Sequence, residues 1–232
     1  MQTQSWKNEM NHLSFLFFHT LREPVRAMAS FSSLIRKQAS TLNDQAINQY
    51  CELLVASATH MQKIMTTTNI FFALGAQDLI LHPSNLHGLA WEAYYHVLGT
   101  YAAEKATVSI TPLPTLPVDR KRVAFIFQQL LLNAFQFRGP SPLEIKIYAK
   151  EQATYWKIFV EDNGSGISTA DKARVFELFY KGHTTATSQE ESVGAGLSFV
   201  KRLVELHGGT IGLDSAEGKG TTVWFTLPKK AA

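Results

Sequence analysis

Apolar residues recur every three or four positions over the first third of the chain, a spacing that predicts two long helices. In the glycine-free segment 5–38, the stripe consists of Met10, Leu13, Phe17, Met28, Phe31 and Ile35. The stripe of the second helix consists of Ile47, Tyr50, Leu54, Met61, Met65 and Phe72. The mostly polar segment STLNDQ, residues 40–45, separates the helices, with Asn43 or Asp44 as the expected cap of the second and Gly75 as its end. Two helices alone cannot bury stripes this wide, so the pattern favours an antiparallel hairpin that pairs into a dimeric four-helix bundle.

Beyond residue 76 the apolar positions fall into shorter, partly alternating segments, which predict a mixed α/β domain. Helices are expected near residues 85–103, from a cap at Asp119 to about Phe137, and near 194–207. The segments LEIKIYAK and YWKIFVED alternate like paired strands, TVSIT is a short strand, and GTIGLDS with GTTVWFTLP forms a closing hairpin. Helices on one face of this sheet would make an α/β sandwich. The expected domains are therefore residues 1–76 and 77–232.

The composition, with 45% apolar and 18% charged residues, is that of a globular protein. The single cysteine, Cys51, excludes an internal disulfide and a cysteine-built metal site, and its apolar neighbours predict that it is buried. A net charge of +3 without a basic run argues against nucleic acid or an anionic membrane as a partner. No apolar run reaches the roughly 18 residues of a membrane span, and no signal peptide is evident, so we expect a cytoplasmic protein.

A histidine in the first helical segment, His19 in the stretch FFHTLREPVRAM, lies on a polar face. At about 100° per residue it shares that face with Glu23 and Arg26, opposite the apolar stripe, so packing in a core does not explain it. Pro24 would bend the helix just after it, because a proline inside a helix removes a hydrogen bond. Periodicity alone leaves two interpretations open, a solvated surface histidine or a chemical group presented to a reaction partner.

Three segments of the second domain carry residues suited to a nucleotide. In QQLLLNAFQF, residues 128–137, Asn133 places an amide oxygen in an otherwise apolar helix, where it suits a hard cation such as Mg²⁺. In VEDNGSGIS, residues 160–168, Asp162 ends a strand before glycines that let the backbone approach a ligand, and its carboxylate could accept a hydrogen bond from an exocyclic amine. In SVGAGLSFVKRL, residues 192–203, the glycines open a helix whose free N–H groups favour phosphate. Each signal alone is weak.

Together and in this order, with FELFYKG between the second and the third, these segments resemble the sensor histidine kinases of two-component signalling. The ATP-binding domain of those kinases belongs to the same superfamily as the ATPases of gyrase and the heat-shock chaperones. HTLREPVR resembles the phosphoacceptor box, NAFQF the asparagine box, DNGSGI and GAGLSF the two glycine boxes, and FELF the phenylalanine box. EGKGTTVWFTLP is similar to the closing hairpin, and LREPVR with NAFQFR looks most like the phytochrome-like branch. The resemblance covers nearly the whole chain.

The resemblance implies an ATP-dependent protein-histidine kinase, active as a homodimer through its helical hairpin. His19 would attack the γ-phosphate, and the phosphoryl group would pass to an aspartate of a separate response-regulator receiver. Asp162 would read adenine N6, Asn133 would hold Mg²⁺, and residues of about 180–196 would form a lid. The other nucleotide-binding residues implied are Gly164, Gly166, Lys181, Gly194, Gly196 and Leu197. For Lys181, a phosphate contact and a solvated loop lysine remain equal alternatives.

The chain departs from the family pattern beside the acceptor histidine. Thr20 occupies a position that is usually acidic, and a hydroxyl cannot take a proton near neutral pH, so we expect weak autophosphorylation. Glu23, about one turn away on the same face, could partly substitute, but it stands where relatives that dephosphorylate their regulator carry Thr or Asn, which leaves that activity open. Gln129 and Gln136 replace residues that offer other metal or phosphate contacts.

Three hypotheses about function follow from these residues. The first is an active dimeric histidine kinase, favoured by complete glycine boxes and a retained His19. The second is a degenerate kinase that binds ATP and signals by conformation or docking, favoured by Thr20, Gln129 and Gln136. The third, an ATPase that moves other proteins or opens DNA, gives the histidine-bearing hairpin no role and is the least favoured.

Overall fold

The computed structural model describes residues 25–37, 45–76, 78–101, 106–182 and 193–230. The chain divides into two compact units, Met1–Gln77 and Asp78–Ala232, which we describe separately as the first and the second unit.

The first unit contains the predicted helical hairpin. Residues 25–37 form helix α1, and Gln45–Ala76 form helix α2. Val25 of α1 shares an apolar cluster with Ala58 and Met65 of α2, so the two helices pack against one another. Cys51 is buried, as predicted, with 2% of its surface exposed. The expected caps Asn43 and Asp44 lie outside the described residues.

Most of the predicted apolar stripe is exposed within a single chain. Phe31 on α1 and Leu53 on α2 have 64% and 65% of their surface exposed. The other large apolar side chains exposed on these helices are Met28, Leu34, Ile35, Ile47, Tyr50, Leu54, Met61, Ile70 and Phe72. The contact between the helices instead uses Val25, Ala29, Ala58 and Met65. Two helices share only one seam, which is too narrow to bury a wide stripe.

The second unit is a mixed α/β domain, as predicted. Its elements in chain order are β1 His82–Asn85, α3 Leu86–Thr100, β2 Ala106–Ile110, β3 Thr115–Val118, α4 Arg120–Gln136, β4 Leu143–Glu151, β5 Tyr155–Asp162, α5 Gly196–Leu206, β6 Ile211–Ser215 and β7 Thr221–Pro228. Five strands form a sheet of order β2-β4-β5-β7-β6, in which β2 runs parallel to β4 and the remaining neighbours are antiparallel. The predicted cap Asp119 accepts a hydrogen bond from Arg122 N at 3.2 Å at the start of α4.

One face of this sheet packs against the helices and forms the core. Alternate residues of β4 and β5, such as Ile147 and Ile158, are fully buried. The ring of Phe127 on α4 meets that of Phe225 on β7 edge to face, with centroids 5.9 Å apart. On the other face, Tyr148 stacks on Phe159 at 4.8 Å. The period-two alternation along the strands therefore separates a helix-covered face from an outer face.

The structure also contains a small ribbon that the sequence pattern did not predict. Strands β1 and β3 pair antiparallel, with Pro83 opposite Pro117. Prolines cannot donate to a sheet ladder, so the proline-bearing segments LHPSN and PLPTLP, residues 81–85 and 112–117, do not have the pattern of strands. A two-stranded ribbon tolerates them because each strand has a free edge. Among the described residues, no helix combines the length and apolar character needed to cross a membrane.

Candidate functional site

Helix α4 places two amide side chains against the first residue of α5. Gln129 and Asn133 are one turn apart and therefore lie on the same face of α4. A Cβ added to Gly196 would lie 3.1 Å from Gln129 Oε1 and 3.4 Å from Asn133 Oδ1. The absence of a side chain at Gly196 thus leaves room for both amide oxygens. Sequence reasoning predicted Asn133 and Gly196 as site residues, and the structure brings them together.

The N-terminus of α5 is open in the sense that no described side chain caps it. Ala195 is its N-cap residue, and among the described residues no side chain caps the helix, so its first N–H groups point away from the helix without a side-chain acceptor. Leu197, half-buried, follows Gly196 in this first turn. Gly194, just before the cap, has a φ of 74°, in the left-handed region that favours glycine. Such a helix start, next to two amide oxygens, suits a phosphate group with a bound cation.

Asp162 ends β5 on the helix-covered side of the sheet. Its Oδ1 accepts hydrogen bonds from Gly164 N at 2.8 Å and Thr221 N at 3.3 Å. Burial raises the pKa of the Asp162 carboxyl, while these two N–H donors act in the opposite direction and favour the charged form. Both bonds to described residues use Oδ1, so Oδ2 is available to accept from a donor on a ligand. The carboxylate is fixed in orientation before any ligand arrives.

The loop that follows Asp162 is packed against the end of α4. A Cβ on Gly164 would lie 2.5 Å from the carbonyl oxygen of Phe137, so only glycine fits there. Ser165 N donates to the same carbonyl oxygen at 2.8 Å. Gly166 has a φ of 70° and packs against the backbone of Ala216. These contacts join the Asp162 end of the site to the helix that carries Asn133.

The remaining predicted residues are less closely assembled. Lys181 is exposed and lies in the segment after the phenylalanine box. Gln136 is in the last turn of α4. His19, Thr20 and Glu23 lie outside the described residues, as do residues 183–192 of the predicted lid. Their predicted roles remain predictions.

Two contributors to the site were missed or undervalued at the level of sequence. Thr221 donates its backbone N–H to Asp162 from 59 positions away, and only the pairing of β5 with β7 brings the two together. Gln129 was regarded as a lost contact, yet its amide oxygen lies beside Gly196. The helical period of α4, which puts position 129 on the face of Asn133, was the signal that could have identified it.

A cavity of about 260 Å³ lies mainly on the outer side of the sheet and shares only Asp162 with the predicted residues. Its charged lining residues other than Asp162 are Glu144, Lys146, Glu161, Asp214 and Lys219. Lys146 and Glu161 pair with one another across it at 3.5 Å. The cavity lacks the helix N-terminus and the amide oxygens, so we assign the candidate site to the helix-covered side.

The residues present fit a magnesium–nucleotide complex. Among the described residues, no group of three or more His, Cys, Asp or Glu side chains is placed to hold a metal ion. Mg²⁺ bound together with a nucleotide needs few protein ligands, because phosphate oxygens and water complete its octahedron. The amide oxygen of Asn133 next to the open N-terminus of α5 satisfies that requirement.

Comparison with known proteins gives concordant results. Residues 118–231 match the family of histidine kinase-, DNA gyrase B-, and HSP90-like ATPases. The chain is 26% identical to cyanobacterial phytochrome A of Nostoc sp. over 220 residues, which cover 95% of this chain and 28% of that protein. It is 29% identical over 225 residues to the methanogenesis regulatory histidine kinase FilI of Methanothrix harundinacea, covering 95% of this chain and 25% of that protein. An uncharacterized sensor-like histidine kinase of Rhizobium meliloti is 31% identical over 223 residues, covering 92% of this chain and 42% of the relative.

The fold has a similar counterpart among solved structures. Full-length ShkA in complex with AMPPNP superposes with a TM-score of 0.65 at 23% identity, covering 95% of this chain and 46% of that chain. At this identity the likeness concerns the fold. The chain spans less than a third of the length of both the phytochrome (28%) and FilI (25%). The resemblance to sensor histidine kinases is confirmed.

Proposed function

We propose that the protein is an ATP-dependent protein-histidine kinase that autophosphorylates on His19. Residues 118–231, which match the ATPases of the histidine kinase, DNA gyrase B and HSP90 type, would be its ATP-binding domain. The observation that carries this proposal is the juxtaposition of the Asn133 amide with the open N-terminus of α5. That arrangement suits the charged end of a nucleotide, whereas a protein that only docks partners has no need of it.

Different residues of the site would contact the adenine, the phosphates and the bound Mg²⁺. Asp162, held by two N–H donors, would accept a hydrogen bond from the adenine amine. The N–H groups at Gly196 and Leu197 would donate to phosphate oxygens, and Asn133 would hold Mg²⁺, which neutralises phosphate charge when bound. Gly164, Gly166 and Gly194 would let the backbone approach the ligand.

His19 would be the acceptor of the γ-phosphoryl group. Its neutral ring nitrogen would attack phosphorus as the bond to the β-phosphate oxygen breaks, leaving ADP and a phosphohistidine. The group would then pass to a carboxylate of a response-regulator receiver, which regenerates the imidazole. This part of the proposal is supported by the motif HTLREPVR and by the kinase relatives.

The first unit would assemble two copies of the chain. Large apolar residues such as Phe31 and Leu53 are exposed on both helices of the hairpin. Pairing two hairpins would cover them in a four-helix bundle, the arrangement favoured by the width of the predicted stripes. We therefore propose a homodimer formed through the first unit.

Incubation of the purified chain with γ-labelled ATP and Mg²⁺ tests the kinase proposal. The expected result is a label that is stable to base and labile to acid, present on the native protein and absent from His19→Gln. The matched control is His12→Gln, which removes another histidine of the same segment and should retain the label. Label that persists in His19→Gln would exclude His19 as the acceptor.

A degenerate kinase that binds ATP without transferring phosphate is the second candidate. Thr20 beside His19 favours it because a hydroxyl cannot act as a base near neutral pH. Gln129 and Gln136 favour it because they replace residues that offer other metal or phosphate contacts. Tight ATP binding by calorimetry without any label would establish this second function. If Thr20 limits the rate, Thr20→Glu should raise the labelling rate about tenfold or more. An unchanged or lower rate would refute that explanation of weak activity.

A further inference from the structure

The turn after β5 contains a buried carboxylate to which the proposed nucleotide contacts assign no role. Asp171 has only 3% of its surface exposed. Its Oδ2 accepts from Ser168 Oγ at 2.8 Å, and its Oδ1 accepts from the Tyr180 hydroxyl at 2.5 Å. A buried carboxylate is costly unless both oxygens have donors, so its contacts indicate a specific anchoring function.

Tyr180 is held at its ring as well as at its hydroxyl. The Arg174 guanidinium lies over the ring, 4.2 Å from its centroid, and also pairs with Glu177 at 3.1 Å. Tyr180 therefore attaches the segment 179–182 to the turn that contains Ser168 and Asp171. Removing the hydroxyl would leave the stacked ring in place and release only its bond to Asp171.

The backbone of the same segment meets the entrance of α5. Phe179 N donates to Gly194 O at 2.8 Å, and a Cβ on Gly194 would lie 2.6 Å from Tyr180 O. Phe179 has a φ of 68°, a conformation that a bulky residue adopts only when its surroundings impose it. The side chain of Tyr180 is thus joined, through its own backbone, to the residues that precede the open N-terminus of α5.

We propose that Tyr180 is a positioning residue for the phosphate end of the nucleotide site, because its hydrogen bond to Asp171 holds Gly194 and Lys181 where they can face the phosphates. The inference rests on the proposed function. Tyr180 itself need not touch the nucleotide. The adenine end, built from Asp162 with Gly164 and Thr221, is held by separate hydrogen bonds and does not depend on this anchor.

The test compares two ligands in the full chain. Tyr180→Phe should weaken binding of magnesium–ATP about tenfold or more, because it removes a hydrogen bond to a charged group. The affinity for adenosine, which has no phosphates, should be unchanged.

Tyr148→Phe is the matched control, since it removes a tyrosine hydroxyl that faces Glu161 at 3.5 Å on the outer side of the sheet. It should alter neither affinity. Asp171→Asn, which keeps an oxygen acceptor for the Tyr180 hydroxyl, should retain most of the affinity for ATP.

The outcomes separate the positioning role of Tyr180 from the proposed kinase function on which it rests. Wild-type chain that fails to bind magnesium–ATP would overturn both. Wild-type binding with Tyr180→Phe equal to wild type would overturn only the positioning role. An equal loss for ATP and adenosine would also overturn it, because a general structural defect would then explain the result.

Discussion

The two units of the chain use apolar residues in opposite ways. In the second unit the large apolar residues of α4 and the sheet, such as Phe127, Ile147 and Phe225, are completely buried within one chain. In the first unit, residues of the same size, such as Phe31 and Leu53, remain largely exposed. A sheet covered by helices closes its core by itself, whereas a two-helix hairpin has only one internal seam. The difference supports the proposal that the first unit pairs with a second copy of the chain, whereas the described part of the second unit buries its own core.

Among substitutions that distinguish the two units, Phe127→Ala is expected to have the largest effect on the free energy of unfolding. Phe127→Ala should lower the free energy of unfolding of the second unit by about 3–5 kcal/mol, because it empties a fully packed position opposite Phe225. The matched control, Phe31→Ala in the first unit, should change it by less than about 0.5 kcal/mol. Tryptophan fluorescence in urea reports on the second unit, which carries three of the four tryptophans, Trp91, Trp156 and Trp224. Similar losses for both substitutions would contradict the comparison.

The next effect concerns the exposed stripe of the first unit. Leu53→Glu should weaken self-association by about 2 kcal/mol or more per protomer, because it would bury an unpaired charge in an apolar interface. A homodimer carries the substitution twice, so the dissociation constant should rise by roughly a thousandfold. Ser30→Glu, on the polar side of α1, is the control and should leave association unchanged. Sedimentation velocity over a range of concentrations measures both. A native chain that is monomeric at every concentration would refute the dimer.

The same contrast explains which features could be predicted from the sequence. Helix α4 and its cap Asp119, strands β4 and β5 and the closing hairpin depend on local periodicity and were predicted correctly. The ribbon of β1 and β3 was missed because Pro83 and Pro117 mimic a loop, and only pairing over a distance reveals it. In the first unit, the period of the stripe predicts its position and its width favours pairing with a second copy. Periodicity does not identify the residues, such as Val25 and Ala58, that the two helices bury against each other.

The candidate site shows the same limit. Asp162, Asn133 and Gly196 were identified from motifs whose residue types suit their chemistry. One donor that orients Asp162, the backbone N–H of Thr221, was not identified, since Thr221 is 59 positions away and contributes only its backbone. Gln129 was classed as a loss because its type departs from the family pattern, although its position on α4 places it beside Gly196. A motif identifies residues by their type, whereas contacts between distant segments depend on strand pairing and cannot be read from a motif.

A ligand should also distinguish the two units. Magnesium–ATP is expected to raise the melting temperature of the second unit alone, by mass action on its folded state. Asp162→Asn should weaken ATP binding about tenfold or more, because an amide presents a donor where the adenine amine needs an acceptor. Asp214→Asn, a carboxylate beside the outer cavity, is the control. Equal ATP affinities for Asp162→Asn and wild type would remove Asp162 from the site.

Binding by the native chain should depend on pH through the same carboxyl. Burial raises the pKa of Asp162, so its charged, accepting form is lost at a higher pH than that of an ordinary aspartate. ATP affinity should therefore fall as the solution is acidified, and Asp162→Asn should lose that part of the dependence. Calorimetric titrations between pH 8 and pH 5 measure it. Identical slopes for the two proteins would contradict the assignment.

The smallest effect, a change in the pH dependence of unfolding, is expected at His207, which joins the two helices of the candidate site. Its Nε2 accepts from Asp119 N at 3.2 Å, so its Nδ1 carries the proton and donates to Leu203 O at 2.7 Å. Burial, the largest cause, lowers the pKa of His207; Leu203 O and the Asp119 carboxylate act in the opposite direction, and Arg122 adds to the lowering. The folded state thus favours the neutral ring.

Because the folded pKa lies below the unfolded one, the stability that His207 contributes is complete above a pH of about 6.5 and declines as the pH falls through the folded pKa. Urea unfolding of the second unit from pH 8 to pH 5 should show this decline. His207→Gln should be less stable at pH 8 and lose part of the slope, whereas His96→Gln, at an exposed histidine of α3, should keep it. A slope that survives unchanged in His207→Gln would show that protonation of this ring is not its source, and the pH dependence of the second unit would then come from other titratable groups.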